Sequence, residues 1–456
     1  QPTCPSRAAT VRNIVDFPAA FTPPADIVTL DRNYRTTHPI LTAVGGIQGT
    51  FDAVSSDFAF LDATLGYDAN AVTLTLQRND ISFAEIGKTR NQITTARGLE
   101  SLAFGMPIYD AVVQLDEDMA RFAFDRLSGE IHGSAKAALI EDSRFVREAA
   151  TARVRAAFEA VASSAASVVA YQEGGPAPAA AEVQSFSGWG HAFGAWADMD
   201  SDGNAAALDR SEGGFFMGID GLFADWRIGL LGGYSRSTFD ADGRASSGKS
   251  SNYHLGIYGG TQQGALGVRL GATYTFHDIR TDRAIAFTGF ADSASASYDA
   301  ATGQAFIDAG YRIDAGATSF EPFAGFAYVN HENSVFVEDG GAAALTGESG
   351  TTETGFTTLG VRAASVFAIG EMKVQTRGSL GWRHAFSDVV PLSTHRFAGS
   401  ETFTIAGLPI ADDAALVEAG LDLGIGDVAT ISMSYSGQVA NQSKQHGIKA
   451  DFSIRF

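Results

Sequence analysis

Gly447-Ile448-Lys449-Ala450-Asp451-Phe452-Ser453-Ile454-Arg455-Phe456 alternates without a break. Ile448, Ala450, Phe452, Ile454 and Phe456 fall on one side of an extended strand. Lys449, Asp451, Ser453 and Arg455 fall on the other, because side chains on a strand repeat every two residues. Two surroundings satisfy such a strand. A soluble sandwich turns the apolar face to a dry interior; a membrane barrel turns it to lipid and keeps the charges in a wet lumen.

Working back from that strand, residues 183–456 hold twelve strand-length segments, at about 188–199, 213–224, 226–239, 250–262, 265–277, 302–314, 318–331, 354–367, 371–386, 413–425, 428–437 and 447–456. Leu266, Val268, Leu270, Ala272, Tyr274 and Phe276 oppose Gly267, Arg269, Gly271, Thr273, Thr275 and His277, and residues 373–383 repeat the pattern. Tight links such as Gln263-Gly264 and Ala315-Gly316-Ala317 take turns with long polar links at 278–301, 332–353 and 387–412. An even number of strands with short turns on one rim and long loops on the other predicts a mainly β fold, a 12-stranded antiparallel transmembrane barrel. A soluble sandwich does not require that asymmetry. In this reading Lys373, Arg377, Arg383, Lys449 and Arg455 face the lumen with Asp308, Asp422 and Asp451, and outer-membrane lipid is the partner of the other face.

Composition supports this. Lysine plus arginine is 32 against 52 for aspartate plus glutamate, a formal charge of −20, which argues against a nucleic-acid partner. Glycine (51) and phenylalanine (32) are abundant, as tight turns and aromatic girdles demand. The single Cys4 can make neither an internal disulfide nor a cysteine-based zinc site. No run of 18 apolar residues is present, which removes a transmembrane helix but not a barrel. The chain starts at Gln1 without a signal peptide and reads as truncated. Neither G-x-S-x-G nor H-E-x-x-H occurs. His254, His277 and His384 read as polar lumen positions, and Glu130 with His132 as a helix start rather than a metal pair. No catalytic residue, cofactor or metal is expected.

Ahead of the barrel the texture changes four times. Residues 1–41 carry Arg7-Ala8-Ala9-Thr10-Val11 and Asp31-Arg32-Asn33-Tyr34-Arg35-Thr36-Thr37-His38-Pro39-Ile40-Leu41, which resemble motifs of UvrD/Rep-type DNA helicases. The resemblance implies that Arg35 contacts a nucleotide γ-phosphate. With no phosphate-cradling G-x-x-x-x-G-K-[ST] loop, the segment reads as an inactive fusion remnant. Residues 42–90 are short β-runs, read as the last coils of a parallel β-solenoid. Residues 91–141 turn helical, with Val112, Leu115, Met119, Phe122, Ala123 and Leu127 on one predicted face. Residues 142–182 begin as an Ala-, Glu- and Arg-rich helix carrying Arg144 and Arg147, and end in the hinge Gly174-Gly175-Pro176-Ala177-Pro178.

Four stretches carry a second resemblance: Gly45-Gly46-Ile47-Gln48-Gly49-Thr50-Phe51; Leu127-Ser128-Gly129-Glu130-Ile131-His132-Gly133-Ser134-Ala135-Lys136; Ser187-Gly188-Trp189-Gly190-His191-Ala192-Phe193-Gly194-Ala195-Trp196; and Gly213-Gly214-Phe215-Phe216-Met217-Gly218-Ile219-Asp220-Gly221. Together they look like a bacterial autotransporter, the type V secretion family. That implies an outer-membrane translocator that exports and anchors its own N-terminal passenger. It implies a helix over 142–170 threading the pore, with lumen charges pairing to it, and no chemistry of its own. Phe456, Ile454 and Phe452 would form the signal read by the barrel-assembly machinery, with periplasmic chaperones as further partners. The alternatives are a porin-like barrel that secretes nothing, or the end of an exported esterase, protease or adhesin.

Overall fold

The computed structural model describes residues 34–158, 161, 171–172, 175–176, 186–369, 372–425 and 429–454. Residues 1–33, and with them most of the helicase-like segment, lie outside the described residues, as do Arg455 and Phe456.

Twelve antiparallel strands form the barrel: β1 (Phe186–Met199), β2 (Leu208–Phe223), β3 (Trp226–Ala241), β4 (Ser246–Gln263), β5 (Leu266–Phe287), β6 (Phe290–Tyr311), β7 (Thr318–Asn333), β8 (Gly350–Ile369), β9 (Met372–Ser387), β10 (Asp413–Ile425), β11 (Ala429–Ala440) and β12 (Ser443–Ile454). Each pairs with the next, and β12 returns to β1 with Ser443 opposite Met199 and Ala450 opposite Ala192. Closure leaves no strand edge, which is what a sheet in hydrocarbon requires. Each of the twelve predicted segments falls on one of these strands, in the same order, with several strands running longer than read.

Alternation sets the two faces. On β5, Leu266, Leu270, Tyr274 and Phe276 are exposed on the outside, while Arg269, Thr273, Thr275 and His277 are buried on the lumen side. That apolar band is about as long as a tilted strand needs to cross a bilayer. Past His277 the faces exchange character. Arg280 and Asp282 now point outward, and Ile279, Ile285 and Phe287 point inward and are buried. The partner strand β6 does the same, with Ser293, Ser295 and Ser297 outward and Ala294, Ala296 and Tyr298 inward. The stretch 278–301, expected to be a loop, is therefore a hairpin that continues the strands beyond the band, paired without a shift from Leu266↔Tyr311 to Phe287↔Phe290. Ser, Ala and Asp give weak contrast between faces, so the alternation there is hard to see in sequence.

The hairpin and the long links 334–349 and 388–412 build a mouth above one rim. Four short strands of those links, Phe336–Val337, Leu345–Gly347, Leu392–Phe397 and Phe403–Ala406, make a small sheet of their own. On the other rim the described turns are tight, with Ala224 (φ 52°) and Gly264 (φ 58°) taking the left-handed backbone that these turns need.

Residues 34–130 sit on the mouth. Three strands, Arg35–Thr42, Leu61–Tyr67 and Ala71–Arg78, form an antiparallel sheet with the last in the centre. A parallel solenoid coil was expected here. Instead, Asp68 Oδ1 accepts the amides of Asn70 (2.8 Å) and Ala71 (2.6 Å), and the chain turns straight back on itself. Arg35 is an exposed end residue of this sheet, so the sheet runs across the expected boundary at residue 41.

Helices α1 (Phe83–Ile86), α2 (Arg90–Glu100), α3 (Pro107–Val112) and α4 (Glu117–Leu127) follow. The single helix read through 112–127 is broken, because Asp116 caps a new start by accepting the amide of Met119 at 2.8 Å. The phase shifts with it. Phe124 is buried in place of Phe122, which is exposed. Phe60, Phe83, Phe124 and Leu127 share one cluster with Ile285, Phe287, Leu345, Phe397 and Phe403 of the mouth. Each such side chain contributes about 1.5–3 kcal/mol when fully buried.

Helices α5 (Ile131–Asp142) and α6 (Arg144–Ala157) then enter the barrel. The inserted helix thus starts eleven residues before the expected 142, and its described part ends at Phe158.

The exchange of faces gives a test. Leu255→Arg places a charge in the outer band opposite Tyr274. It should lower barrel stability by about 2–4 kcal/mol in urea titrations in vesicles. Ser297→Arg, above the band, should stay within about 0.5 kcal/mol. Equal costs would place the bilayer boundary elsewhere.

Candidate functional site: the plugged lumen and its mouth

Direction comes first. Arg144, at the start of α6, donates to Gln445 Oε1 (2.7 Å), two residues into β12 from the mouth. Nine residues on, Arg153 meets Asp220, near the tight-turn end of β2. The helix therefore runs down the lumen from the mouth to the tight-turn rim, where β1 begins.

Ion pairs from several strands hold it there. Arg153 grips Asp220 with Nε (2.6 Å) and a terminal nitrogen (2.8 Å). Asp220 also accepts from Arg227 and from the Tyr258 hydroxyl (2.7 Å), and that hydroxyl accepts from Trp189 Nε1 (2.5 Å). Higher up, Arg383 clasps Glu141 with two bonds of 2.7 and 2.8 Å. Arg210 pairs with Asp142, whose other oxygen accepts from Ser237 (3.0 Å). Glu148 accepts from Arg144 and Lys449, both at 3.2 Å, and Arg147 donates to Gln304 (2.6 Å).

Of the expected lumen cations, Arg383, Lys449, Arg144 and Arg147 are thus brought together at the helix. Arg377 faces inward but pairs with Glu418 and Asp422 on β10, within the wall. The side chains of Lys373, Arg455, Phe452, Ile454 and Phe456 lie outside the described residues. His254 and His277 are buried on the inner face, as read. His384 is not: it shares the outer face with Trp382 and bonds Asp413 (3.0 Å). Its even-numbered position on β9 already gave that parity. Sequence reading put Asp308 in the lumen and Arg269 on the polar face of its strand, but missed Asp220, Arg210, Glu321 and Arg362 and the wall quartet that Arg269, Asp308, Glu321 and Arg362 form. In that quartet Arg269 stands opposite Asp308 and Arg362 opposite Glu321, bonded at 2.7–3.2 Å. Inward parity gave each candidate; only cross-strand register selects the partners.

At the mouth, Glu130 stands at the start of α5 but its side chain makes no cap bond there; it accepts the Ala206 amide (2.6 Å) and Arg244 Nε (3.1 Å) and so fastens a loop. His132 contacts Glu338 through Nε2 (2.9 Å) and Tyr298 through Nδ1 (3.1 Å), and Arg283 holds both oxygens of Glu338 at 2.8 and 2.9 Å. His395 is buried beside them, its ring 5.4 Å from that of His132. Gly133 and Gly407 touch backbone to backbone; a Cβ on Gly407 would lie 2.2 Å from the Gly133 carbonyl carbon. Among the described residues no group of three His, Cys, Asp or Glu is placed to hold a metal. No described helix is long and apolar enough to cross a membrane, which says nothing of a barrel.

A closed twelve-stranded barrel with a helix led through it from the long-link side is the arrangement against which comparison is informative. Residues 188–436 match the autotransporter beta-domain family model. The chain belongs to the autotransporter family. Its barrel is a translocator of the bacterial outer membrane. An extracellular serine protease of Serratia marcescens is 30% identical over 463 residues, spanning 92% of this chain and 43% of that protein. A second protein of the same name and source is 29% identical over the same shares. The chain therefore spans less than half the length of the curated relatives it matches. The translocator domain of autotransporter NalP from Neisseria meningitidis aligns with a TM-score of 0.50 at 12% identity, over 70% of this chain and 98% of that one, and shares the fold.

Two outcomes follow for the autotransporter barrel. Asp220→Ala leaves Arg153 buried without its carboxylate, which costs about 3–5 kcal/mol at a buried pair. The lower half of α6 should loosen, and single-channel conductance in planar bilayers should rise several-fold; an unchanged conductance removes the pair from the plug's anchorage. The second outcome concerns pH. Burial holds His132 below its ordinary 6.5, despite Glu338, with Arg283 and Lys136 pushing the same way, and it holds His395 well below. Burial alone would raise Glu338, but Arg283 and the His132 bond bring it to about 2. All three folded values are depressed, so the stability they contribute is present above the unfolded values. It is lost as pH falls, from about 6.5 for the histidines and below about 4.5 for Glu338. Proteolysis of residues 34–130 should accelerate between pH 7.5 and 5, and less so in the double variant His132→Gln, His395→Phe.

Proposed function

We propose that residues 34–130 are the end of the exported passenger, held on the outer surface of the cell, and that α5 and α6 are the stretch of chain left in the pore when transport is complete. One observation carries this reading: the helix enters at the long-link mouth and its last described turns lie toward the tight-turn rim. The segment before it consequently stands on the opposite side of the membrane from the start of β1. Lipid meets the band of Leu255, Leu270, Tyr274 and their neighbours. Phe452, Ile454 and Phe456 are the signal for the barrel-assembly machinery, which would pair with the strand edge before β12 meets β1. Periplasmic chaperones would carry the unfolded chain there. Arg35, part of the stump's sheet, has no role in nucleotide binding.

A second reading is that the chain is the terminal part of a secreted serine protease. It is favoured by the name shared by both Serratia relatives, and it assigns proteolysis to a passenger portion ahead of the stump. Reading the gene upstream of Gln1 separates this from an adhesin or a porin-like barrel without cargo.

Protease treatment of intact cells expressing the chain tests the main reading. Residues 34–130 should be removed while the barrel survives, and the protected fragment should migrate faster on gels when unboiled. A stump degraded only after the outer membrane is permeabilised would reverse the assigned direction.

A further inference from the structure

The plug does not fill the lumen evenly. Helix α6 packs against β3, β4 and β5, and the side facing β6–β12 keeps a cavity of about 150 Å³. That volume has room for several water molecules. Three carboxylates line it, Glu148, Asp308 and Glu418, and each is already engaged: Glu148 by Arg144 and Lys449, Asp308 by Arg269 and Arg362, Glu418 by Arg377. Arg383, another lining residue, is clasped to Glu141.

Two lining cations make no ion pair with a carboxylate among the described residues, although Glu148 lies near Arg147, and Glu418 and Asp308 lie near Arg155. Arg147 donates only to the neutral Gln304 amide (2.6 Å), with its guanidinium 5.9 Å from the centre of the Phe356 ring. Arg155 is 8% exposed, and its Nε has no hydrogen-bond partner. These residues stand at i and i+8, so one stripe of α6 presents two guanidinium groups to the same space, with Thr151 between them at i+4, its hydroxyl bonded back to the Arg147 and Glu148 carbonyls. A buried guanidinium without a counter-charge is costly, and buried unsatisfied donors in native proteins commonly mark a bound water or ion. Guanidinium forks match tetrahedral oxyanions and carboxylates in two-pronged fashion.

We propose that the lumen contains a binding site for a small free oxyanion of the phosphate class, built by Arg147 and Arg155. The inference rests on the helix being the resident plug. The ligand is a dissolved anion rather than a lipid headgroup, because the twelve strands separate the cavity from the acyl region. An anion there adds counter-charge beside two guanidinium groups that no carboxylate bonds directly, adding to the plug's hold without any passenger contact.

The test uses the full chain refolded in phosphate-free detergent, titrated calorimetrically with inorganic phosphate at low ionic strength. Saturable binding is expected, weakened at least about tenfold in Arg147→Gln, Arg155→Gln. It should be unchanged in Arg280→Gln, an exposed arginine above the band. Unboiled gel migration verifies folding of each variant. Should the double variant fail to fold, Thr151→Trp, which fills the cavity and keeps both arginines, must abolish binding. Absence of saturable binding in the wild type overturns the proposal. So does equal binding in the double variant, or in Thr151→Trp where that variant decides. Protease treatment of cells tests the helix's direction separately, so failure here leaves the translocator reading intact.

Discussion

A peptide group in hydrocarbon has no water to bond. Each unsatisfied amide or carbonyl there costs several kcal/mol, so a sheet crossing a membrane must close on itself. Every other feature of this chain follows from the meeting of β12 with β1. Closure fixes an even antiparallel order, and the order fixes which rim carries tight turns. Alternation then separates an oily outside from a charged inside. That inside is too wet for an empty hydrophobic core and too wide to fill with its own side chains, so it accepts a helix whose Arg and Glu residues find partners on the wall.

Exchange of face character along β5 and β6 marks where this regime stops. Below His277 the strand obeys lipid; above it, water, and the inner face becomes an ordinary apolar core. Residues 34–130 use that upper core as a platform, with Phe124 and Leu127 set against Ile285 and Phe287. The same polypeptide thus serves two solvents within one hairpin. The buried cluster of His132, Glu338 and Arg283 lies at the junction, where stump, inserted helix and link 334–349 converge.

Much of the barrel was legible because its physics is local. Period-two contrast is strong in Leu266–His277 and in residues 373–383, and any reader of alternation finds those strands. The lumen cations Arg383 and Lys449 followed from the same parity. What stayed hidden depends on register or on weak contrast. No property of Arg377 says that Glu418 and Asp422 will reach it before the helix does. The serine-rich stretch at 291–297 has too little polarity difference to announce a strand. The antiparallel stump was misread because short β-runs look alike whether they coil or fold back, and the Asp68 turn decides between the two. Asp116 reset the helical phase for a similarly small reason, a single cap.

The helix and the barrel are joined in a way that no single contact describes. Residues 131–157 pass through a ring closed around them, and a folded domain too broad for the ring sits on the entry side. Such a thread cannot leave sideways, whatever the strength of its salt bridges; either the ring opens or the domain unfolds and is drawn through. Persistence of the assembled state is therefore governed by the barrier to those events rather than by an equilibrium between bound and free helix. The two parts of the molecule form a mechanical bond, made once at assembly and indifferent to dilution.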